Sequence, residues 1–342
     1  MPGSKREIFA DIFKEGKEYT ILTKSIEKIA KTGGRIAELK VRLPYAKEGE
    51  PLYPHTTMKV GGPAELYVEA DTSQKLVEAV IAARELGVPY FEMAGGSNLV
   101  IDDAGLGGLV IRYTASNLAT DNLVIGCEGG LELWSLVQEA ANRGWTGLEN
   151  LAGIPGSVGG AVFGNAGAFG YSIGDILENG IILTPSNTLE TVGNDYFRFR
   201  YRHSYLKESG DLLLSVKLKF KPGNKEELWK KMKEILALRA EKHPPHDWPC
   251  AGSFFKNIEK ADEPYGKLAA GILLDKVGAK NLRIGQAGVY FKHANIIVNH
   301  GGARFADIRR LANLMRQKVF DEFGITLEEE IRYVDGSGRR QA

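Results

Sequence analysis

The chain has 342 residues, room for two or three domains at roughly 150 residues each, and a core that size needs no disulfide or structural metal to hold it. Its 43% hydrophobic and 25% charged residues exclude a disordered chain, a collagen-like chain and a coiled coil. Forty-four basic residues against forty-three acidic ones leave a formal net charge of +1, without the basic excess or stripe of a nucleic-acid-binding protein. Glycine is the outlier: 41 residues, about 12% against an average of about 7%. Two cysteines, Cys127 and Cys250, make no disulfide framework and point to a reducing compartment. The charged N-terminus lacks the apolar core of a secretory signal, and no stretch approaches 18 apolar residues. Together these predict a cytoplasmic, multidomain protein without membrane insertion.

Residues 1–50 read as a charged N-terminal extension with an amphipathic helix candidate at 21–29 and an apolar stretch at 36–43. Residues 65–69 alternate as a strand. Asp71, Thr72 and Ser73 then offer caps to a helix whose Leu76, Val77, Val80 and Ile81 recur at helical spacing, and Gly87 fits its C-terminal end. Strands are predicted at 88–93 and 108–113, and a second amphipathic helix at 131–143 ends at Gly144. The glycine-rich stretch 151–170 shows neither helical nor strand period. Strands follow at 180–183, 189–192 and 211–220. The turn pair Pro222-Gly223 is taken as a domain boundary, after which Asn224 caps a helix with Leu228, Met232, Ile235 and Leu236 on its buried stripe. Further helices at 265–277 and 305–323, and strands at 295–298 and 327–334, complete the chain. The division is an extension 1–50 and three further segments, 51–115, 116–222 and 223–342.

Three glycine clusters stand out. Val60-Gly61-Gly62 precedes Pro63 and allows close backbone approach to a ligand, or is an ordinary turn. Ala94-Gly95-Gly96-Ser97-Asn98 follows a strand directly, where consecutive N–H groups can form an anion-binding nest. It is not the GxGxxG fingerprint. Gly153-Ile154-Pro155-Gly156-Ser157, continued by Gly159-Gly160-Ala161, is too apolar for a flexible linker and suggests backbone laid against a flat or phosphorylated ligand. The three together suggest a large dinucleotide-like cofactor. Arg198, Arg200 and Arg202 alternate with Phe197, Phe199 and Tyr201, which on a strand puts three guanidinium groups on one face. A solvated strand face is the alternative. Ser253 has a glycine before it but lies outside a GxSxG elbow. His243, His246 and Cys250 lack the spacing and the fourth ligand of a zinc site, so no metal is expected. Glu328 and Glu330 share one face of a candidate strand, with Glu329 on the other.

The pieces HTTMKVGGPA, AGGSNLV, AGIPGSVGGAVFGNAGAFG, FRYRHS, AGSFFKN, HANIIVNHGG and LEEEIR occur in one order between Pro54 and Val334. In this the chain resembles the flavoenzyme family of the UDP-N-acetylenolpyruvoylglucosamine reductases, the UDP-N-acetylmuramate dehydrogenases. The resemblance implies an α+β fold: a two-subdomain FAD-binding unit of the vanillyl-alcohol-oxidase type, 51–115 and 116–222, plus a C-terminal α+β substrate-binding domain, 223–342. It implies non-covalent FAD against Val60, Gly61, Gly62, residues 94–98 and the 153–161 loop. It also implies NADPH as hydride donor, leaving before a UDP-sugar enol ether takes its place. Arg202 matches the position that stabilises the developing enolate, Glu330 the one that assists as a neutral acid, and Ser253 the proton donor. Tyr201, Lys242 and Asn257 match substrate positions, Lys242 with a one-residue shift. Only about 50 residues separate Arg202 from Ser253, which fits the short-loop second type of the family. The chain departs from the pattern in its long start, in Tyr290 where serine is common and in Ile258 where proline is common.

The alternatives are a flavin oxidase with FAD attached covalently through His55, and a flavin-binding protein that has lost catalysis. Neither would need Arg202, Ser253 and Glu330 together.

Overall fold

The computed structural model describes residues 34–245 and 247–336. The helix candidate at 21–29 and His246 lie outside them. The described chain divides into two compact units: 34–48, 66–95 and 108–236 in the first, and 49–65, 96–107 and the described residues from 237 to 336 in the second.

The first unit holds two hydrophobic cores. One surrounds a four-stranded sheet of β1 (Lys47–Pro51), β2 (Pro63–Ala70), β3 (Tyr90–Met93) and β4 (Leu106–Tyr113), in the order β1-β2-β4-β3, with the ends of β1, β2 and β4 counted in the second unit. Helices α1 (Arg35–Arg42) and α2 (Ser73–Glu85) cover it. Thr72 caps α2, its hydroxyl accepting from the Lys75 N–H, and Leu76, Val77 and Val80 are buried as their spacing predicts. The second core surrounds an antiparallel sheet of β5 (Leu118–Asp121), β6 (Val124–Glu128), β7 (Leu177–Leu183), β8 (Leu189–Gly193) and β9 (Leu212–Lys219), in the order β8-β7-β9-β6-β5. Helix α3 (Leu133–Asn142) packs into it.

Two sequence expectations change in this unit. Residues 151–170 contain a short helix, α4 (Val158–Phe163), and a two-stranded hairpin of Gly167–Ala168 with Tyr171–Ser172. Two glycines in α4 cost roughly 1 kcal/mol each. Burial of Val158 and Val162, about 1.5–3 kcal/mol apiece, and the Ser157 cap on the Gly160 N–H outweigh that cost. Gly159 is also needed, since a Cβ there would lie 3.0 Å from the Gly129 carbonyl.

The second correction is the boundary at 222–223. Lys221–Pro222 pairs with Trp145–Thr146, and Leu228, Met232 and Ile235 of α5 (Lys225–Lys242) are buried in the core around β5–β9. The turn therefore reverses the chain within one body, and the compact units part at 236/237. Asn224 does cap α5, accepting from the Glu227 N–H at 3.0 Å.

In the second unit, strands β10 (Cys250–Ser253), β11 (Arg283–Ile284), β12 (Ala287–Val289) and β13 (Ile296–Asn299) form a sheet ordered β10-β13-β12-β11, packed by α6 (Ala270–Lys276) and α7 (Phe305–Phe323). Leu99–Ile101 and Arg332–Val334 pair in parallel beside it. Residues 327–331 are not a regular strand as expected; only the single bridge from Phe255 to Glu329 and the Arg332–Val334 pairing are formed.

Candidate active site

The first unit brings together Ala94 and Gly95 at the end of β3 and the Gly153–Ala161 loop. A Cβ on Gly95 would meet the Gly156 Cα at 3.3 Å, so the two glycine clusters touch backbone to backbone. Within 153–161 many N–H groups are already used: Ile154 donates to Leu151, Val158 to Leu131, Gly159 to Gly129, Gly160 to the Ser157 hydroxyl and Ala161 to the Ser157 carbonyl. The donors of Gly159, Gly160 and Ala161 are thus already taken within the protein. The N–H groups of Gly95, Gly153, Gly156 and Ser157 find no acceptor among the described residues. Bare backbone bearing unused donors suits the pyrophosphate of FAD.

In the second unit, a Cβ added to Gly61, Gly62 or Gly96 would meet protein on that side. Gly96 has φ +60°, and a Cβ there would stand 2.2 Å from the His55 carbonyl. At Gly62 it would stand 2.2 Å from the Asp103 carbonyl, and at Gly61, with φ +146°, 3.1 Å from Ile101 Cβ. Val60 is buried in the core of this unit. His55 is engaged with Glu50 at 2.9 Å. The Asn98 amide donates to the Glu330 carbonyl at 2.9 Å, and the Arg332 N–H donates to the Asn98 carbonyl at 3.0 Å. Glu330 also donates its N–H to the Phe254 carbonyl at 2.8 Å, one residue beyond Ser253. The sequence gives no sign of this tie between the AGGSN loop, Glu330 and the serine strand.

Ser253, Lys242 and Asn257 line one cleft of about 450 Å³, joined by Lys280, Lys292 and His293. Ser253 closes β10 after Gly252, which has φ +76°, and is half-buried on the cleft wall. Thr57 fixes the start of that strand by donating to the Cys250 carbonyl at 2.7 Å. Asn295 fixes its far end: its side chain accepts from the Phe255 N–H at 3.0 Å and donates to the Phe255 carbonyl at 2.8 Å. The Asn257 Oδ1 accepts from the Ala270 N–H at the start of α6. Lys280 pairs with Asp275 at 2.8 Å, so Lys242 and Lys292 carry the cleft's net positive charge.

The HANIIVNHGG segment contains His293 and follows Lys292, but without a partner in view neither could be assigned to a cleft from sequence. His293 and His243 lie 5.3 Å apart between ring centroids. Burial, then His293 and the neighbouring Arg239 and Lys242, push His243 down to about 4. Burial also lowers His293. Both rings are therefore neutral at pH 7.

The arginine strand does not form. Residues 194–197 are a 3-10 turn, and Arg198 and Arg202 take positive φ of 45° and 53°. The three guanidinium groups part: Arg198 stacks on Tyr205 at 4.3 Å, Arg200 bonds His203 at 3.0 Å, and Arg202 donates to the Gly167 carbonyl at 3.3 Å. Phe197 is fully buried and stacks on Phe199 at 5.3 Å, as alternation would have it, but the chain turns at Arg198 and Arg202 and the arginines separate. Tyr201 sits beneath the Arg202 guanidinium at 5.5 Å. Of the three acids, Glu328 is exposed and pairs with Lys256 at 2.8 Å, while Glu329 lies 3.8 Å from Arg316.

Comparison with known proteins follows the same division. Residues 64–193 match the family model of an FAD binding domain, and residues 243–334 that of the UDP-N-acetylenolpyruvoylglucosamine reductase C-terminal domain. The UDP-N-acetylenolpyruvoylglucosamine reductase of Latilactobacillus sakei is 38% identical over 289 residues, 84% of this chain and 93% of its own. The chain belongs to the UDP-N-acetylenolpyruvoylglucosamine reductase family. The Heliobacterium modesticaldum reductase is 37% identical over 84% of this chain and 90% of its own. The crystal structure of the Thermus caldophilus reductase matches at 34% identity with a TM-score of 0.68, covering 84% of this chain and 97% of that one. The 6-hydroxy-D-nicotine oxidase of Arthrobacter nicotinovorans, 13% identical with a TM-score of 0.50 over 77% of this chain and 81% of its own, shows a shared fold alone.

The fold is α+β: an FAD-binding unit of the vanillyl-alcohol-oxidase type and the reductase family's C-terminal domain. The protein is an FAD-dependent oxidoreductase. Among the described residues no helix is long and apolar enough to cross a membrane.

Proposed function

We propose that the protein reduces the enolpyruvyl ether of UDP-N-acetylglucosamine to UDP-N-acetylmuramate with NADPH as hydride donor, supplying peptidoglycan synthesis. The cleft that gathers Ser253, Lys242 and Asn257 carries this reading. Residues 60–62, 94–98 and 153–161 would hold FAD non-covalently, and the bound flavin would supply the terminal enolpyruvyl carbon with hydride drawn from NADPH. In functional terms 51–115 and 116–222 are the flavin-binding subdomains, and the chain from 237 onward contributes the substrate cleft.

Hydride arrival at the terminal carbon leaves negative charge on the carbon beside the carboxylate, an enolate that needs a counter-charge and a proton. Preorganised charge aimed at such a centre is usually the largest catalytic contribution. Arg202, permanently cationic and already oriented by the Gly167 carbonyl, takes this role. Glu330, held by the Phe254 carbonyl and the Asn98 amide, assists as a protonated acid donating to the substrate carboxylate. Ser253 gives the proton. A hydroxyl is a poor acid in water, but transfer to a carbanion is downhill, so position matters more than acidity. Lys242 and Lys292 give the cleft the charge to take up a diphosphate, and Tyr201 and Asn257 hold the sugar nucleotide.

The test is single turnover. NADPH-reduced enzyme mixed anaerobically with the enol ether is expected to reoxidise, with UDP-N-acetylmuramate formed in equal amount. Reduced enzyme that stays reduced until oxygen enters would overturn the assignment.

A further inference from the structure

Glu128 belongs to none of the motifs, yet it is 5% exposed at the end of β6. Its carboxylate is fully engaged. Oε1 accepts from the Ser73 hydroxyl at 2.6 Å, and Oε2 accepts from the Asn117 N–H at 3.0 Å and the Asn117 amide at 2.8 Å. The Ser73 hydroxyl also lies 2.7 Å from the Tyr113 hydroxyl, which donates to the Leu214 carbonyl at 2.8 Å. Ser73 opens α2 and Tyr113 ends β4, both on the core of the first sheet, whereas Cys127 and Leu131 on either side of Glu128 lie in the core of the second. One buried carboxylate therefore ties the two cores of the first unit together.

The residues after Glu128 lead to the glycine loop. Gly129 donates to Leu214 at 2.8 Å and accepts from Gly159 at 2.7 Å; Leu131 accepts from Val158 at 2.8 Å; Leu133 donates to Gly156 at 2.9 Å. Gly130 has no space to shift, since a Cβ there would stand 2.6 Å from the Ala115 carbonyl. Gly156 in turn abuts Gly95. The 156–159 segment thus hangs from the 129–133 segment by backbone bonds whose near end Glu128 holds.

We infer that Glu128 is a positioning residue for the flavin: by fixing residues 129–131 it sets the placement of the 153–161 loop against Gly95. This rests on the reading that the 153–161 loop lies along the cofactor. Removing the carboxylate takes away the acceptor of three part-buried hydrogen bonds at once, which a polar network tolerates poorly. Glutamine can keep the network whole: its carbonyl accepts both Asn117 donors, its NH2 donates to Ser73, and the Ser73 proton turns to Tyr113.

The experiment measures the FAD dissociation constant of the full-length apoprotein by quenching of FAD fluorescence, alongside the urea midpoint. Glu128→Ala is expected to weaken FAD by about tenfold or more, and Glu128→Gln by less than about threefold. Leu39→Ala, a fully buried change in the first core, which holds no residue of the 153–161 loop, lowers the urea midpoint while leaving FAD affinity near wild type. Wild-type affinity in Glu128→Ala, or equal weakening in Leu39→Ala, overturns the proposal in favour of a purely structural role. Should Glu128→Ala not fold, Ser73→Ala and Asn117→Ala carry the same comparison: weakened FAD supports the proposal and wild-type affinity overturns it. Gly159→Ala separates the underlying reading: unchanged FAD affinity there refutes the loop assignment, and weakened affinity there with intact affinity in Glu128→Ala refutes the positioning role alone.

Discussion

Ser253 is chemically the weakest member of the proposed trio and gives the sharpest test. Ser253→Ala removes a hydroxyl on the cleft wall and is expected to keep bound flavin and its bleaching by NADPH. Reoxidation by the enol ether is expected to fall by about a thousandfold, within the usual scale of a lost general acid; near-normal reoxidation refutes the donor role. Glu330→Gln retains a donor and is expected to lose less turnover than Glu330→Ala; equal losses in kcat argue against a neutral acid. The histidine pair carries a pH dependence. His243 is held near 4 in the folded protein, against 6.5 unfolded. Its neutral form therefore contributes stability that is complete above pH 6.5 and is lost as pH falls toward 4. Urea midpoints of His243→Gln are expected to decline less than wild type between pH 6.5 and 4, and parallel declines would contradict that linkage. Single residues were legible where a motif carried them, as with Ser253, Lys242 and Asn257 in one cleft. Lys292 and His293 were not, because their role depends on β13 running beside β10.

At the scale of elements, β10 is held in place by side chains from elsewhere in its own unit. Asn295 satisfies both backbone groups of Phe255, and an orphaned buried backbone group costs about 1–3 kcal/mol. Asn295→Ala is expected to lower the urea midpoint and to slow the enol-ether half-reaction while leaving reduction by NADPH unchanged. Equal slowing of both half-reactions would show a general loosening instead. Amphipathic helices were readable because the 3.6-residue period survives packing: Leu76, Val77 and Val80 in α2, and Leu228, Met232 and Ile235 in α5. The hairpin of β5 and β6 was missed; its only signal was Asp121-Asn122, followed by Asn122 and Leu123 at φ 41° and 61°. Helix α4 was hidden because its stability comes from burial and a cap rather than propensity. The arginine segment misled because alternation of residue types produces a strand only where pairing partners exist, and here the chain turns at Arg198 and Arg202.

For the whole molecule, the order of seven motifs located both family domains, and the matches at 64–193 and 243–334 agree with that order. The compact units were less legible: the chain crosses between them at 48/49, 65/66, 95/96, 107/108 and 236/237, and most of those crossings fall within or beside strands where no loop signal exists. The central claim is that one flavin serves two substrates in succession, first taking hydride from NADPH and then giving it to an enol ether. The most direct measurement is flavin absorbance near 450 nm under anaerobic conditions, with NADPH added first and the UDP-N-acetylglucosamine enolpyruvyl ether second. The account predicts bleaching by NADPH and rapid recovery on the enol ether without oxygen. Recovery only on admitting oxygen, or a purified protein that binds no flavin, would contradict it.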